Sequence, residues 1–389
     1  MNFSNNTFRP QKLYVAFFFL FSFFSAIFCN YTKVNNLFHL AAIFFIITLY
    51  LDKDLRLSFW RNKEVCCGLG FATAMLFYFS LSNLWSNDPA NIESTLTHSL
   101  YLLLYLAMLI ATLNGPRRNL LLTCIVLGLT ILCLYSIAFD YQDMLVSRQV
   151  SKSNPGPGNV IDLSGLAGLG IILSLSLFSA KHSRAILITI PILFGTMLLT
   201  QSRGPVLALL IALAATLPYN RLKLKHVVGF LVALVAIAAA ILPTEMGQLM
   251  LTRLEEMYAQ SFLRLSIWRH TFELVAQAPY FGYGFDYELT FTNYSGEFIR
   301  TTHSLYWGTL LKGGLVGLGL LLALLSYCGV LAVRRLRSGM RLEAALLVFM
   351  LLFYVSQGMF VVGNPSESWY LFWFPLGVVM TARRHSREV

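Results

Sequence analysis

Apolar residues in this chain fall in long blocks separated by short polar connections. The blocks lie near 13–28, 37–51, 65–84, 96–113, 119–139, 160–180, 185–199, 205–219, 226–243, 303–333, 341–362 and 368–381. Blocks of this length and purity predict membrane-spanning helices, because a helix satisfies all of its backbone polar groups internally in lipid. Several blocks are shorter than the ~20 residues a span needs, so their true ends must reach into the flanking polar residues. The stretch 185–219 is continuous except at Thr200-Gln201-Ser202-Arg203-Gly204-Pro205. Gly204-Pro205 is a helix breaker, which predicts a tight hairpin between two spans. The expected architecture is an all-α polytopic membrane protein of about twelve transmembrane helices. Residues 1–243 carry the first nine, 244–302 form one large extramembrane segment, and 303–389 carry the last three.

Composition supports this class. Of 389 residues, 57% are hydrophobic and only 12% charged, whereas soluble domains are about a quarter charged. The net charge of +11 could suggest a nucleic-acid partner. The basic residues, however, are spread through short loops between apolar blocks, so no nucleic acid is expected. Lysine and arginine concentrate in the loops on the side of the N-terminus, which places both termini in the cytoplasm and residues 244–302 outside it. No small-x-small site cleanly follows the first block, so an uncleaved first span is expected. The six cysteines form no C-x-x-C pair, so neither a disulfide framework nor a metal site is read from them.

The outward connections are uneven. Residues 140–159 contain Asn154-Pro155-Gly156-Pro157-Gly158, read as a flexible turn. Within 244–302, Leu265, Trp268, Phe272 and Val275 recur at helical spacing, which predicts an amphipathic helix on the membrane surface. Arg264 lies beside that stripe, and Arg269 pairs in sequence with Glu273 at i,i+4. The helix should end at Ala278-Pro279, before the aromatic turn Tyr280-Phe281-Gly282-Tyr283-Gly284. Its G-x-G is too short for a nucleotide fingerprint.

Candidate chemistry gathers on the same side. Arg203, at the tip of the hairpin, is either an anion clamp or an interfacial residue snorkelling to headgroups. Arg264 on the surface helix is either a phosphate ligand or part of a solvated face. Arg269 and Arg300 are secondary candidates. His303 opens the next span. A helix N-terminus and nearby guanidiniums would hold its imidazole neutral and able to accept a proton. The alternative is a histidine packed in an aromatic belt with Tyr306 and Trp307. Glu367, in a tight loop before the last span, is the acid best constrained to orient His303. Lys312 lies nine residues further on, which puts it on the opposite helical face, facing an inner cavity or pairing across helices. The sequence contains no H-E-x-x-H, D-x-D or P-loop, so no metal or nucleotide cofactor is expected.

Together, Gln201-Ser202-Arg203-Gly204, Arg264-Leu265-Ser266-Ile267-Trp268-Arg269, Gly282-Tyr283-Gly284, Thr302-His303-Ser304-Leu305-Tyr306 and Lys312-Gly313-Gly314 resemble the O-antigen ligase and polymerase superfamily. The resemblance covers roughly 190–330, and the short length and lack of a C-terminal extension resemble the ligase more than the polymerase. It implies a glycosyltransferase of the bacterial inner membrane whose active site faces the periplasm. The implied reaction moves O-antigen polysaccharide from undecaprenyl diphosphate onto a sugar hydroxyl of lipid A–core, without metal and with inversion. Carried over by position, Arg203 and Arg264 would bind the diphosphate, with Arg269 and Arg300 in support, and His303 would activate the acceptor hydroxyl. Two other readings stay open: a polymerase whose acceptor is a second lipid-linked glycan, and a polysaccharide or lipid transporter.

Overall fold

The computed structural model describes residues 10–381, apart from 30, 181, most of 219–241, 256, 293–295, 297 and 359. The expected span at 226–243 lies outside the described residues. Helices dominate. Among the described residues, seven are long and apolar enough to cross a membrane: Pro10–Ile27, Thr32–Leu51, Lys63–Trp85, Pro89–Leu113, Arg118–Phe139, Val160–Ser179 and Leu305–Arg337. Shorter apolar helices occupy Ala185–Leu199, Arg203–Ala215 and Trp369–Met380. The chain is thus a multi-pass membrane protein by helix length and composition.

The bundle is assembled around buried aromatic and small residues. We label α1 (Pro10–Ile27), α2 (Asn35–Leu51), α3 (Lys53–Arg61), α4 (Lys63–Leu81), α5 (Ile92–Leu113), α6 (Arg118–Phe139), α7 (Tyr141–Val146) and α8 (Val160–Ser179). Trp369 fills the junction of α1, α2 and α5, with its ring 6.0 Å from Phe21, 5.1 Å from Phe38 and 4.8 Å from Tyr105. Close packing drives helix association in lipid, where the hydrophobic effect does not act between helices. The central helix α8 shows this: a Cβ built at Gly165 or Gly168 would lie within 2.6 Å of the Phe353 ring or 2.7 Å of the Phe349 ring.

The remaining helices are α9 (Thr189–Leu199), α10 (Arg203–Ala215), α11 (Glu245–Glu255), α12 (Met257–Val275), α13 (Leu305–Arg337), α14 (Arg341–Phe353) and α15 (Phe374–Met380). The expected break is present, with α9 and α10 separated at Gln201 and Ser202 and Gly204-Pro205 inside the first turn of α10, but the two helices do not pack as a hairpin: α9 lies on α6 and α8, and α10 on α8 and α14. The first turn of α10 tolerates proline because its missing N–H would have no intrahelical partner. The block 341–362 is helical only to Phe353. Beyond it the chain peels away, so that the Tyr354 carbonyl accepts the Leu305 amide at 3.1 Å.

Charge pairs mark one end of the bundle. Arg334 and Arg335, at the end of α13, hold Glu64 at the start of α4 at 3.0 and 2.6 Å. Arg118, at the start of α6, holds Glu343 at the start of α14 at 2.8 Å. The starts of α10 and α13 and the end of α14 lie at the opposite end, together with the 244–302 segment.

That segment is built differently from its expected amphipathic stripe. In α12 the face packed on the protein is Ile267, Thr271 and Val275, while Leu265 and Phe272 stay exposed. The packed stripe follows i,i+4 steps toward α13, and the exposed one, joined by Phe262, is left for lipid or another surface. A short antiparallel pairing, Phe291 with Ile299, follows.

The turn Pro279–Gly284 is spliced onto a break in α13. Gly314 has φ 60°, ψ −161° and interrupts the helix. The turn replaces the lost helical bonds. Tyr283 and Gly284 amides donate to Leu311 and Lys312 carbonyls at 3.0 and 2.9 Å, while Leu315 and Val316 amides donate to Pro279 and Tyr280 carbonyls at 2.8 and 3.1 Å. The Tyr78 hydroxyl caps the Gly313 carbonyl at 2.6 Å. Lys312 lines a small cavity, as one of its expected placements had it. Its ammonium is held by the carbonyls of Phe285 and, at 2.7 Å, Tyr287, between the rings of Phe285 and Phe360.

Candidate functional site

Three arginines from three separate connections meet in one cavity of about 390 Å³. Arg148 follows α7, Arg203 opens α10, and Arg264 lies midway along α12. Gln201, Ser202, Ser261 and Ser356 add hydroxyl and amide groups to the wall, and Ile161, Leu207, Ala208, Ile211 and Leu352 make its apolar side. No aspartate or glutamate lines it among the described residues.

Local structure explains how the arginines are aimed. Among the described residues, three non-glycine positions have positive φ: Arg148 at 54°, Gln201 at 51° and His303 at 49°. Left-handed backbone costs an L-residue roughly 1–2 kcal/mol, and such strain persists only where surrounding contacts enforce it. Gln201 is enforced by its side chain, which donates to the Leu145 carbonyl at 2.7 Å and so ties the α9–α10 corner to α7. Arg203 then begins α10, whose unpaired amides and dipole favour an anion at the same spot. The loop after Arg148, expected to be a flexible turn, is buried and pinned. Asn154 donates to Ser136 at 2.9 Å and to Asp140, and accepts from the Gly156 amide at 2.8 Å.

His303 sits two residues before α13, not within its first turn, because Ser304 is the N-cap residue and Leu305 the first helical one. Its neighbours fix it: Trp268 donates to the Thr302 carbonyl at 3.0 Å, and Thr302 donates through its hydroxyl to the Ser304 carbonyl at 2.7 Å. Gly358 presses on it from the other side, and a Cβ there would be 2.8 Å from the His303 amide nitrogen. Burial pushes the imidazole below its ordinary pKa, and the charge of Arg264 pushes it further the same way. A neutral imidazole beside a guanidinium is suited to accept a proton. Burial also lowers the pKa of Arg264, which stays charged because a guanidinium starts so high.

The other expected residues lie elsewhere. Arg269 is 84% exposed and reaches Glu273 at 3.3 Å, outside the cavity. Arg300 is 68% exposed and stands 4.0 Å from Glu288, beside a different cavity. Glu367 makes no hydrogen bond or ion pair with His303 among the described contacts. It is turned inward, where burial raises its pKa, and its Oε2 has no hydrogen-bond partner. Among the described residues no three or more His, Cys, Asp or Glu side chains gather as they would around a metal ion. Arg148 was not singled out from sequence. The available signal was its place in a connection that lysine and arginine counts read as outward, where basic residues are few.

Residues 188–322 match the family model described as O-Antigen ligase. The matched stretch contains Arg203, Arg264, His303 and the broken start of α13, and so part of the cavity wall, while Arg148, Ile161 and the Leu352–Ser356 side lie outside it. A curated O-antigen ligase from Pseudomonas aeruginosa is 26% identical over 321 residues, covering 78% of this chain and 74% of that protein. The alignment is therefore long enough to reach beyond the family-model segment. Arg148 and Glu367 both lie outside the matched residues.

Proposed function

We propose that the chain is an O-antigen ligase: a glycosyltransferase of lipopolysaccharide biosynthesis, acting at the periplasmic face of the inner membrane. The donor in this reading is O-antigen polysaccharide on undecaprenyl diphosphate, and the acceptor is a sugar hydroxyl of lipid A–core. The observation that carries it is the meeting of Arg148, Arg203 and Arg264 in one cavity whose third arginine acts electrostatically on His303. A lipid diphosphate is the anion that suits a multi-arginine site at a membrane boundary, since guanidiniums match phosphate oxygens two at a time.

In the proposed step the acceptor oxygen attacks the anomeric carbon of the donor sugar, from the side opposite the diphosphate. The carbon–oxygen bond to the diphosphate breaks as the new glycosidic bond forms, which inverts the anomeric centre. His303 takes the acceptor hydroxyl proton, and the arginines stabilise negative charge as it grows on the leaving diphosphate. Charge developing on the donor oxygen is met by fixed cations, so the protein reorganises little during the reaction. This chemistry needs no metal and no nucleotide.

The test uses the purified full-length protein with undecaprenyl-diphosphate-linked O-antigen and lipid A–core. Polymer appearing on the core lipid in wild type, and lost in His303→Ala, supports the reading. Growth of the lipid-linked glycan with no polymer on the core would identify a polymerase. No glycosyl transfer at all, with lipid moved between leaflets in proteoliposomes, would identify a transporter.

A further inference from the structure

A second cavity, of about 260 Å³, is walled by Thr302 and Gly358, the immediate neighbours of His303, together with Tyr287, Glu288, Arg300 and Lys312. We propose that this cavity binds the sugar that supplies the attacking hydroxyl, so that the donor diphosphate and the acceptor glycan approach His303 from opposite sides. This rests on the glycosyltransferase reading and gives a place to the substrate that reading leaves unplaced.

The partition between the cavities is one short segment. Val355 and Ser356 belong to the arginine cavity and Gly358 to the second. Gly358 lies directly against the His303 backbone, and Thr302, the residue before His303, lines the second cavity. His303 thus lies between a residue that lines the second cavity, Thr302, and the charge of Arg264, which lines the first.

The wall has the chemistry of sugar recognition. Glu288 and Arg300 stand 4.0 Å apart and are 65% and 68% exposed, so their loose pair leaves both planar groups free to bridge neighbouring hydroxyls. A carboxylate accepts from hydroxyls and a guanidinium donates to them, each through two parallel positions. At the floor, the Lys312 ammonium uses two of its three N–H groups on the Phe285 and Tyr287 carbonyls, leaving one for a ligand. Tyr287 is braced by stacking on Tyr283, with ring centroids 4.4 Å apart. The volume is small beside the ~300–1,000 Å³ of drug-sized sites, which fits one sugar residue and neither a polymer nor a lipid tail. Diphosphate is a poor fit, because Glu288 would face it.

The experiment compares full-length wild type with Glu288→Gln, Arg300→Gln and Gly308→Leu, the last adding bulk where Gly308 lines the cavity. Thermal unfolding of each variant checks that it is folded. Transfer is measured against acceptor and donor concentration separately. The acceptor KM should rise roughly tenfold or more on loss of a charged hydrogen-bonding group, with the donor KM within twofold of wild type. Arg203→Lys should do the reverse. A donor KM raised as much as the acceptor KM, or an unchanged acceptor KM in all three variants, overturns the assignment. If wild type transfers nothing, the glycosyltransferase reading fails. The cavity is then judged by titrating lipid-free core oligosaccharide: binding lost in Gly308→Leu and Glu288→Gln supports it, and absent or unaltered binding overturns it.

Discussion

Gly358→Ala should damage the reaction without altering any side chain proposed to act on substrate. The added methyl would lie 2.8 Å from the His303 nitrogen, 3.0 Å from its Cα and 3.3 Å from the Ser304 nitrogen, where ordinary contacts begin at 3.4 Å. All three neighbours are backbone, so no flexible side chain can swing aside. The His303 segment is also held by the Trp268–Thr302 and Leu305–Tyr354 hydrogen bonds, which resist a shift. Relief requires His303 to move by about 0.6 Å, and since a ~1 Å misplacement costs on the order of a hundredfold in rate, kcat should fall about ten- to thirtyfold. The overpacking should cost about 1–3 kcal/mol of stability, so the variant remains folded. The assay is steady-state transfer in detergent, with thermal unfolding alongside. Gly363→Ala is the control, because a Cβ there meets nothing within 4 Å. A kcat within twofold of wild type in folded Gly358→Ala would refute the idea that His303 must be held where Gly358 puts it. An equal loss in Gly363→Ala would do the same.

Three further outcomes are expected. Arg203→Lys and Arg148→Lys should each lose about tenfold or more in transfer, since a point charge cannot replace the planar fork; Arg269→Ala, outside the cavity, should stay within twofold, and the opposite ranking in a donor-concentration series would remove the clamp. The pH–rate profile should carry the sign of the His303 shift. Its imidazole is held below the ordinary value of ~6.5, so the neutral form persists into mild acid and the acidic limb lies below that pH. Removing one cause with Arg264→Gln should move that limb upward while burial keeps it below ~6.5, and a stationary limb would deny the coupling. Lys312→Met should leave the Phe285 and Tyr287 carbonyls unsatisfied at about 1–3 kcal/mol each. The visible result would be a lower Tm and faster hydrogen exchange over 279–288; unchanged exchange there would show that Lys312 does not hold the turn.

Much of this protein was legible in the chain because hydropathy and helix breaking are local. Long apolar blocks specify helices in lipid whatever packs against them, and Gly204-Pro205 marked the corner that carries Arg203. His303, Arg203 and Arg264 stood out because charged or titratable groups at a membrane boundary are rare and costly. Which arginines meet is not a local property. Arg148, Arg269 and Arg300 look alike in sequence. Only the packing of α7 against the α9–α10 corner, through Gln201, turns Arg148 into the cavity, and only the face by which α12 docks on α13 turns Arg269 out of it. The same holds for Glu367, whose loop is short enough to reach His303 but folds its carboxyl inward. Gly282-Tyr283-Gly284 and Gly314 read as unrelated until the tertiary structure joins them as two halves of one broken-helix splice. Chemistry at helix ends is written in composition. Convergence of distant ends is decided by how whole helices pack, and no window of sequence contains that information.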